Sequence, residues 1–173
     1  DVFPNDPTEW NDLDGDGITD IAVGAPSGSD GGANRGGLWI LFLNTNGTVK
    51  SYQKISDTQG SFSGGLTNNE NFGTAIASLG DLDGDGIIDI VAGSPNRNDS
   101  LNLSGAIWIL FLNTNGTVKS FQKIGNTSGG LSAAIRTDEH FGSSVTSLGD
   151  LDGDGITDIA VGAIHDKDGG TED

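Results

Sequence analysis

Aspartate is the residue type whose spacing in this chain best suits a chemical role, because it recurs in three nine-residue segments. Each segment has the pattern D-x-D-x-D-G-x-x-D, and the segments begin at Asp12, Asp81 and Asp150. In a tightly coiled loop the side chains at alternate positions converge on one point, and glycine at the sixth position permits the sharp turn. Converging carboxylates suit a hard cation such as Ca²⁺, which takes about six to eight oxygens. Mg²⁺ is less suited, because it keeps several waters and uses few carboxylates.

Each segment is therefore predicted to bind one Ca²⁺, which makes three sites. The first, third, fifth and ninth residues supply carboxylates, and the backbone carbonyl of the seventh residue completes each site with water. The predicted ligands are Asp12, Asp14, Asp16, Ile18 and Asp20 in the first segment, Asp81, Asp83, Asp85, Ile87 and Asp89 in the second, and Asp150, Asp152, Asp154, Ile156 and Asp158 in the third. Solvated acidic turns are the alternative, but such dense carboxylates repel one another strongly without a cation.

An EF-hand loop is a competing interpretation, since the first six positions also match its pattern. An EF-hand needs a bidentate glutamate at position 12 and a helix on each side. Position 12 is Val23, Ala92 or Val161 here, and the flanking residues have the apolar pattern of strands. The ninth aspartate is followed directly by an apolar run, which instead indicates a calcium loop inside a β-hairpin.

The balance of charge excludes several classes of partner. The chain has 25 Asp and Glu residues against 8 Lys and Arg, and its formal net charge is −17. Such a surface repels nucleic-acid backbones and anionic lipid headgroups.

No apolar run approaches the roughly 20 residues that a membrane-spanning helix needs. Cysteine is absent, which excludes disulfides, thiolate metal sites and a cysteine nucleophile.

The acidic segments belong to a longer internal repeat, because each begins 69 residues after the previous one. The run WILFLNTNGTVKS at 39–51 recurs unchanged at 108–120, and Phe3, Phe72 and Phe141 are in register. The chain therefore contains two full periods and part of a third.

Within one period the residue pattern predicts four strands, at 72–79, 89–93, 106–112 and 117–124. The third of these, AIWILFL, is continuously apolar and is predicted to be buried on both faces. Asn115-Gly116 predicts a two-residue type I′ turn between the last two strands. No segment has a helical period. A four-stranded meander repeated in tandem is typical of the blades of a β-propeller.

The predicted fold is all-β, with tandem four-stranded antiparallel blades of a β-propeller. The predicted units are a first blade at 1–55, a linker at 56–71, a complete second blade at 72–124, a linker at 125–140, and the first two strands of a third blade at 141–173. The first strand of the first blade, at 3–10, is degenerate because Pro4 and Pro7 cannot donate to a ladder. About two and a half blades are incomplete alone, since closed propellers have about four to eight.

The combination of motifs resembles the FG-GAP repeat family, which forms the β-propeller of integrin α subunits and of many bacterial surface proteins. Phe72-Gly73 and Phe141-Gly142 match the first element of its motif, and Gly24-Ala25-Pro26 matches the second. The resemblance implies a propeller whose calcium loops brace a hairpin, in a secreted or cell-surface protein used for adhesion or scaffolding. The near-identical units resemble the tandem repeats of large bacterial or archaeal surface proteins more than those of vertebrate integrins.

Residues outside the acidic segments give little indication of catalysis. His140 and His165 do not recur in the other units and are predicted to be exposed loop residues, and no Ser/His/Asp arrangement follows from the spacing. Trp39 and Trp108 occupy the same place in the third strand, where a core or inter-blade contact is favoured over stacking on a sugar. The triplets at 46–48 and 115–117 fit the glycan acceptor pattern, although a hairpin turn already explains them.

The main hypothesis is therefore a non-enzymatic, extracellular, calcium-binding propeller module with a structural or adhesive role. Its partners would be further blades of the same protein or other copies, together with an extracellular protein or glycan ligand. Two alternatives stay open. The chain could be the non-catalytic propeller of a secreted hydrolase, or a subunit that self-assembles into a filament or oligomer.

Overall fold

The computed structural model describes residues 12–99, 101–132 and 135–166. The strands are β1 (Ile21–Gly24), β2 (Gly37–Leu43), β3 (Val49–Ser56), β4 (Ile76–Gly80), β5 (Asp89–Ser94), β6 (Ala106–Leu112), β7 (Val118–Gly125), β8 (Phe141–Gly149) and β9 (Asp158–Ala163). Every paired strand is antiparallel to its neighbour in sequence, in sheets of three (β1–β3, blade 1), four (β4–β7, blade 2) and two strands (β8–β9, blade 3).

The prediction of an all-β chain of tandem antiparallel blades is confirmed. The described residues contain no helix long and apolar enough to cross a membrane. The degenerate strand predicted at 3–10 lies outside the described residues. The exact boundaries between blades and linkers stay a prediction.

Strand β6 explains how the blades pack on each other. Its side chains alternate, so that Trp108, Leu110 and Leu112 join one apolar cluster with residues of blade 1, while Ile107 joins a second cluster with residues of blade 3. Both faces of the strand are therefore buried, as its continuously apolar sequence predicts. Burial of this kind stabilises the stack of blades by about 25 cal/mol for each Å² of apolar surface removed from water.

The turn between β6 and β7 differs from the predicted two-residue type I′ turn. That turn needs positive φ at both central residues, but only Gly116 has it (φ 75°), and Asn115 does not. The amide of Gly116 donates to Asn113 O (2.8 Å) and that of Asn113 to Thr117 O (2.9 Å), so the loop is longer. The Asn115 side chain makes this loop possible, because its Oδ1 accepts bonds from the amide and hydroxyl of Thr117.

The dipeptide Phe72-Gly73 joins blades 1 and 2 rather than beginning a strand. The first strand of blade 2 was predicted from Phe72, but β4 begins at Ile76. Phe72 instead forms a parallel bridge with Gly36 and is fully buried. Gly73 follows with φ +84°, and a Cβ there would lie 2.4 Å from the Gly37 carbonyl oxygen. Only glycine fits this close approach of the two backbones.

Candidate metal centres

The three acidic segments form loops at equivalent places in the blades, here called acidic loop 1 (12–20), acidic loop 2 (81–89) and acidic loop 3 (150–158). Loop 2 connects β4 to β5, loop 3 connects β8 to β9, and loop 1 leads directly into β1. The first aspartate of each loop organises the coil. In loop 2, Asp81 accepts bonds from the amides of Gly84 (2.8 Å), Asp85 (2.9 Å) and Gly86 (2.8 Å). The equivalent bonds form in the other two loops.

The ninth aspartate ties the loop to the body of the blade. Asp89 is only 1% exposed, and it accepts bonds from the amide of Leu82 within the loop and from that of Leu112 on β6, both at 3.0 Å. Asp20 makes the matching bonds to Leu13 and Leu43 in blade 1. Burial raises the pKa of Asp89 to about 6, although the two amide bonds oppose that shift. Burial thus disfavours the ionised form of Asp89, and a nearby positive charge would favour it.

The structure brings three of the four predicted carboxylates in each loop close together. One oxygen from each member lies within 4.8 Å of the others. The groups are Asp12, Asp14 and Asp20 in loop 1, Asp81, Asp83 and Asp85 in loop 2, and Asp150, Asp152 and Asp158 in loop 3. The remaining predicted carboxylates, those of Asp16, Asp89 and Asp154, lie outside these groups. The ligand role of the Ile18, Ile87 and Ile156 carbonyls stays a prediction.

Two lysines meet the acidic loops, and sequence reasoning missed them. Lys50 Nζ lies 2.7 Å from Asp14 Oδ2 and 2.5 Å from Asp16 Oδ2, and Lys119 makes the same pair of contacts in loop 2. The hydrogen bond to Lys50 lowers the pKa of Asp16 below its usual value. The sequence did contain a signal for these contacts. Both lysines belong to the run that recurs unchanged, and each lies 36 residues after the third position of its acidic loop.

The donor set of the loops fits a divalent hard cation. Every side-chain donor is a carboxylate oxygen, and the carboxylates already gather around a cationic ammonium in loops 1 and 2. Oxygen donors alone favour Ca²⁺ or Mg²⁺ over metals that prefer nitrogen or sulfur. The donor set of the acidic loops is thus of the type that suits a divalent hard cation.

Of the residues considered for other chemistry, some lie in the predicted surroundings and others do not. Trp108 is buried, as a core contact requires, and its indole N–H donates to Ser94 Oγ (3.1 Å). Trp39 is only half-buried, with its ring 5.2 Å from that of Tyr52. The prediction that His140 is exposed is wrong. Its side chain is 15% exposed, and its ring lies 4.9 Å from that of His165.

Comparison with known proteins agrees with this arrangement of blades and loops. The model of the FG-GAP-like repeat matches residues 12–92 and again residues 81–161. The chain belongs to the FG-GAP-like repeat family. It is 37% identical over 156 residues to mouse integrin alpha-2, 35% identical over 162 residues to human integrin alpha-11, and 33% identical over 154 residues to integrin alpha-4 of Xenopus laevis. Each alignment covers 88% of the chain but only 12 to 14% of the relative.

Proposed function

We propose that this chain is an extracellular, non-enzymatic propeller module in which Ca²⁺ braces the acidic loop of each blade, and that the module has a structural or adhesive role. The observation that carries the proposal is the ninth aspartate, which joins the acidic loop to the third strand. Asp89 links Leu82 in the loop to Leu112 on β6. Membership of an integrin-like family supports the adhesive role.

The residues of the chain hold the loop in a conformation suited to a cation. Asp81 accepts three backbone amides and so keeps the coil closed, while Asp83 and Asp85 direct carboxylate oxygens toward the same region. A bound Ca²⁺ would supply the positive charge that these carboxylates need. Because the loop is also bonded to β6 through Asp89, order in the loop is coupled to order in the sheet.

Thermal unfolding with and without Ca²⁺ tests this proposal. For sites with a Kd of about 10⁻⁴–10⁻³ M, about 10 mM Ca²⁺ should stabilise the fold by about 1.4–2.7 kcal/mol for each site. Asp83→Asn should remove part of this gain. Asp30→Asn is the matched control, because Asp30 is ion-paired with Lys54 outside the acidic loops. An unfolding midpoint that is the same in Ca²⁺ and in EDTA would contradict the proposal.

Self-assembly is a second candidate function, favoured by an exposed apolar face on blade 1. Val49 and Tyr52 are 50% and 64% exposed. At the equivalent positions of blade 2, Val118 is buried and Phe121 packs against Phe62, with ring centroids 5.2 Å apart. A second copy of the chain would cover the face of blade 1 in the same way.

Light scattering over a range of protein concentrations tests self-assembly. The expected result is a mass that grows with concentration in the wild type and not in Tyr52→Lys. Thr58→Lys adds the same charge at an exposed position away from this face and should behave as the wild type. A constant monomer mass in the wild type would exclude this function.

The hydrolase alternative leaves the same blades in place and differs only in having an enzyme domain elsewhere in the protein.

A further inference from the structure

Two histidines and an aspartate converge at the junction of blades 2 and 3, away from the acidic loops. Asp138 and His140 lie just before β8, and His165 lies just after β9. Each offers one ligand atom within 4.8 Å of the other two. We propose that these three side chains bind one borderline transition-metal ion, with Zn²⁺ as the expected type. Two imidazoles and one carboxylate are donors that Zn²⁺ prefers, whereas Ca²⁺ takes oxygen donors only.

A chain of amide hydrogen bonds leaves one ring nitrogen of His140 ready to bind a metal. The carbonyl of Pro26 can only accept, so it is the Nδ2 of Asn71 that faces it (2.9 Å). Asn71 Oδ1 then accepts from Asn96 Nδ2 (2.7 Å), which leaves Asn96 Oδ1 to accept from His140 Nδ1 (2.9 Å). The proton of the neutral ring is therefore on Nδ1, and Nε2 keeps its lone pair on the side of Asp138. Histidines that bind a metal through one ring nitrogen are commonly oriented by a hydrogen bond that the other ring nitrogen donates.

The spacing of His140 and Asp138 matches neighbouring ligands of one tetrahedral ion. His140 Nε2 lies 3.3 Å from Asp138 Oδ1. For metal–ligand distances of about 2.0–2.1 Å, two ligands of a tetrahedral Zn²⁺ are about 3.3–3.4 Å apart. The His140 and His165 rings are nearly perpendicular, at 87°. Asp138 is 42% exposed and His165 is exposed, so an ion can enter from solvent and a water can take the fourth position.

The repeat places metal-binding residue types at the three positions that are asparagine in the previous unit. At a distance of 69 residues, Asn69, Asn71 and Asn96 correspond to Asp138, His140 and His165. The backbone has the same left-handed conformation at one pair of these positions, since Asn71 has φ 58° and His140 has φ 55°. The side chains of Asn71 and Asn96 are also in contact. All three replacements exchange an amide for a residue that binds transition metals, at a place where the fold already brings the side chains together.

The proposed ligands stand on backbone that is fixed to both blades. The amide of Asp138 donates to Asn102 O (2.9 Å) and that of His140 to Leu103 O (3.1 Å), which anchors both residues on blade 2. His165 is on blade 3, and its amide donates to Glu139 O (3.4 Å). An ion held by all three side chains would therefore join blade 3 to blade 2, and its removal would loosen that junction.

Calorimetric titration of the whole chain with Zn²⁺ tests the site. Ca²⁺ at about 10 mM, above the Kd range expected for weak extracellular sites, keeps the acidic loops occupied. We expect one Zn²⁺ per chain. His140→Asn and His165→Asn should weaken binding by more than about 100-fold, because loss of an outer partner alone costs about 10–100-fold. Asn96→Ala removes such an outer partner of His140 and should weaken Zn²⁺ binding by about 10–100-fold.

The variants have controls built into the repeat. Asparagine is the residue at the equivalent positions of the previous unit, so both histidine variants should fold and should keep the Ca²⁺ dependence of their unfolding. Asp152→Asn, in acidic loop 3, should leave Zn²⁺ binding unchanged. Imidazole ¹⁵N NMR should show a Zn²⁺-dependent shift of His140 Nε2 and of a His165 ring nitrogen. Equal Zn²⁺ binding by the wild type and both histidine variants, or imidazole signals that report only a protonated His140 paired with Asp138, would overturn the proposal.

Discussion

Acidic loops 2 and 3 have almost the same sequence and different surroundings. In loop 2, Asp89 is buried and bonded to β6, and Lys119 bridges Asp83 and Asp85. In loop 3, Asp158 accepts from Leu151 (2.8 Å), and among the described residues it has no bond to a third strand and its loop has no lysine contact. The coil itself is the same in both. The nonapeptide therefore determines the loop conformation, whereas anchoring and charge compensation come from strands much later in the unit.

A pair of equivalent glutamates shows the same contrast. Glu70 is fully buried, and Arg97 Nη1 contacts both of its oxygens, at 2.8 and 2.7 Å. Glu139 is also buried, but its Oε1 has no hydrogen-bond partner among the described residues. The position equivalent to Arg97 in the third unit is Asp166. Between the two copies, a paired buried carboxylate is thus replaced by one with an oxygen that has no partner within the described part of the chain.

The largest expected effect is the loss of the Glu70 ion pair. Glu70→Gln removes the nearest charged partner of the largely buried Arg97 guanidinium and leaves it only the distant Asp99, whose Oδ1 is 4.0 Å from Arg97 Nε. Breaking a buried pair in this way should lower the free energy of unfolding by about 3–5 kcal/mol. Urea unfolding measures the change. A loss below about 1 kcal/mol would mean that the pair does not stabilise blade 2.

Removal of the ninth aspartate should have the next largest effect, and it should differ between the two loops. In EDTA, Asp89→Ala leaves the amides of Leu82 and Leu112 unsatisfied, and a buried unsatisfied donor costs about 1–3 kcal/mol. Because Leu82 is only partly buried, its amide should cost less than that of the buried Leu112, and we expect a total loss of about 2–4 kcal/mol. Asp158→Ala affects one exposed amide and should cost less than about 1 kcal/mol. Equal losses in urea unfolding would contradict the contrast between buried and exposed anchoring.

Removal of Lys119 should change calcium binding more than it changes stability. The ammonium group competes with a cation for Asp83 and Asp85, so Lys119→Met should raise the Ca²⁺ affinity of loop 2. In water, two unit charges about 4 Å apart interact with an energy of about 1 kcal/mol, which corresponds to about a fivefold change in Ca²⁺ affinity. Calorimetric Ca²⁺ titration measures it, and Lys54→Met, which removes the partner of Asp30, is the matched control. Weaker binding in Lys119→Met would show that the lysine helps to form the site.

The smallest expected effect is that of Glu139→Gln, the counterpart of Glu70→Gln. This change neutralises a buried carboxylate whose Oε1 has no hydrogen-bond partner in the ranges that the structure describes, and it breaks no ion pair there. The free energy of unfolding should therefore stay within about 1 kcal/mol of the wild type. Urea unfolding of the two glutamine variants side by side gives the comparison directly. A loss as large as that of Glu70→Gln would show that Glu139 has a charged partner.

The repeat allowed the strands of blade 2 to be predicted to within a few residues, because its apolar runs and glycine-rich loops are local signals. Strand β6 illustrates this, since seven continuously apolar residues require burial on both faces. Phe72 shows the limit of local reasoning. Its apolar neighbours resemble a strand, but contact with Gly36 of the preceding blade decides its conformation.

The candidate sites were predictable to different extents for the same reason. The carboxylates of an acidic loop lie within nine residues, so their convergence follows from spacing alone. The contact of Lys119 with Asp83 spans 36 residues, and that of His140 with Asn96 spans 44. Such contacts depend on how strands and blades pack. The repeat register gives a partial signal for both, because it aligns the lysines of two units and aligns the histidine pair with an asparagine pair.

The bridge at Phe72 determines how the chain would respond to a pulling force, which is relevant to any adhesive role. The amide of Phe72 donates to Arg35 O and the amide of Gly37 donates to Phe72 O, both at 3.0 Å. Tension along the chain would pass from residues 35–37 to residue 72 through these two bonds. Strands β2 and β3 and the connection after them would then bear no load until the bonds rupture. The amide of Phe141 donates to Ser104 O in the equivalent bridge, so blades 1 and 2 would each lengthen in a separate step.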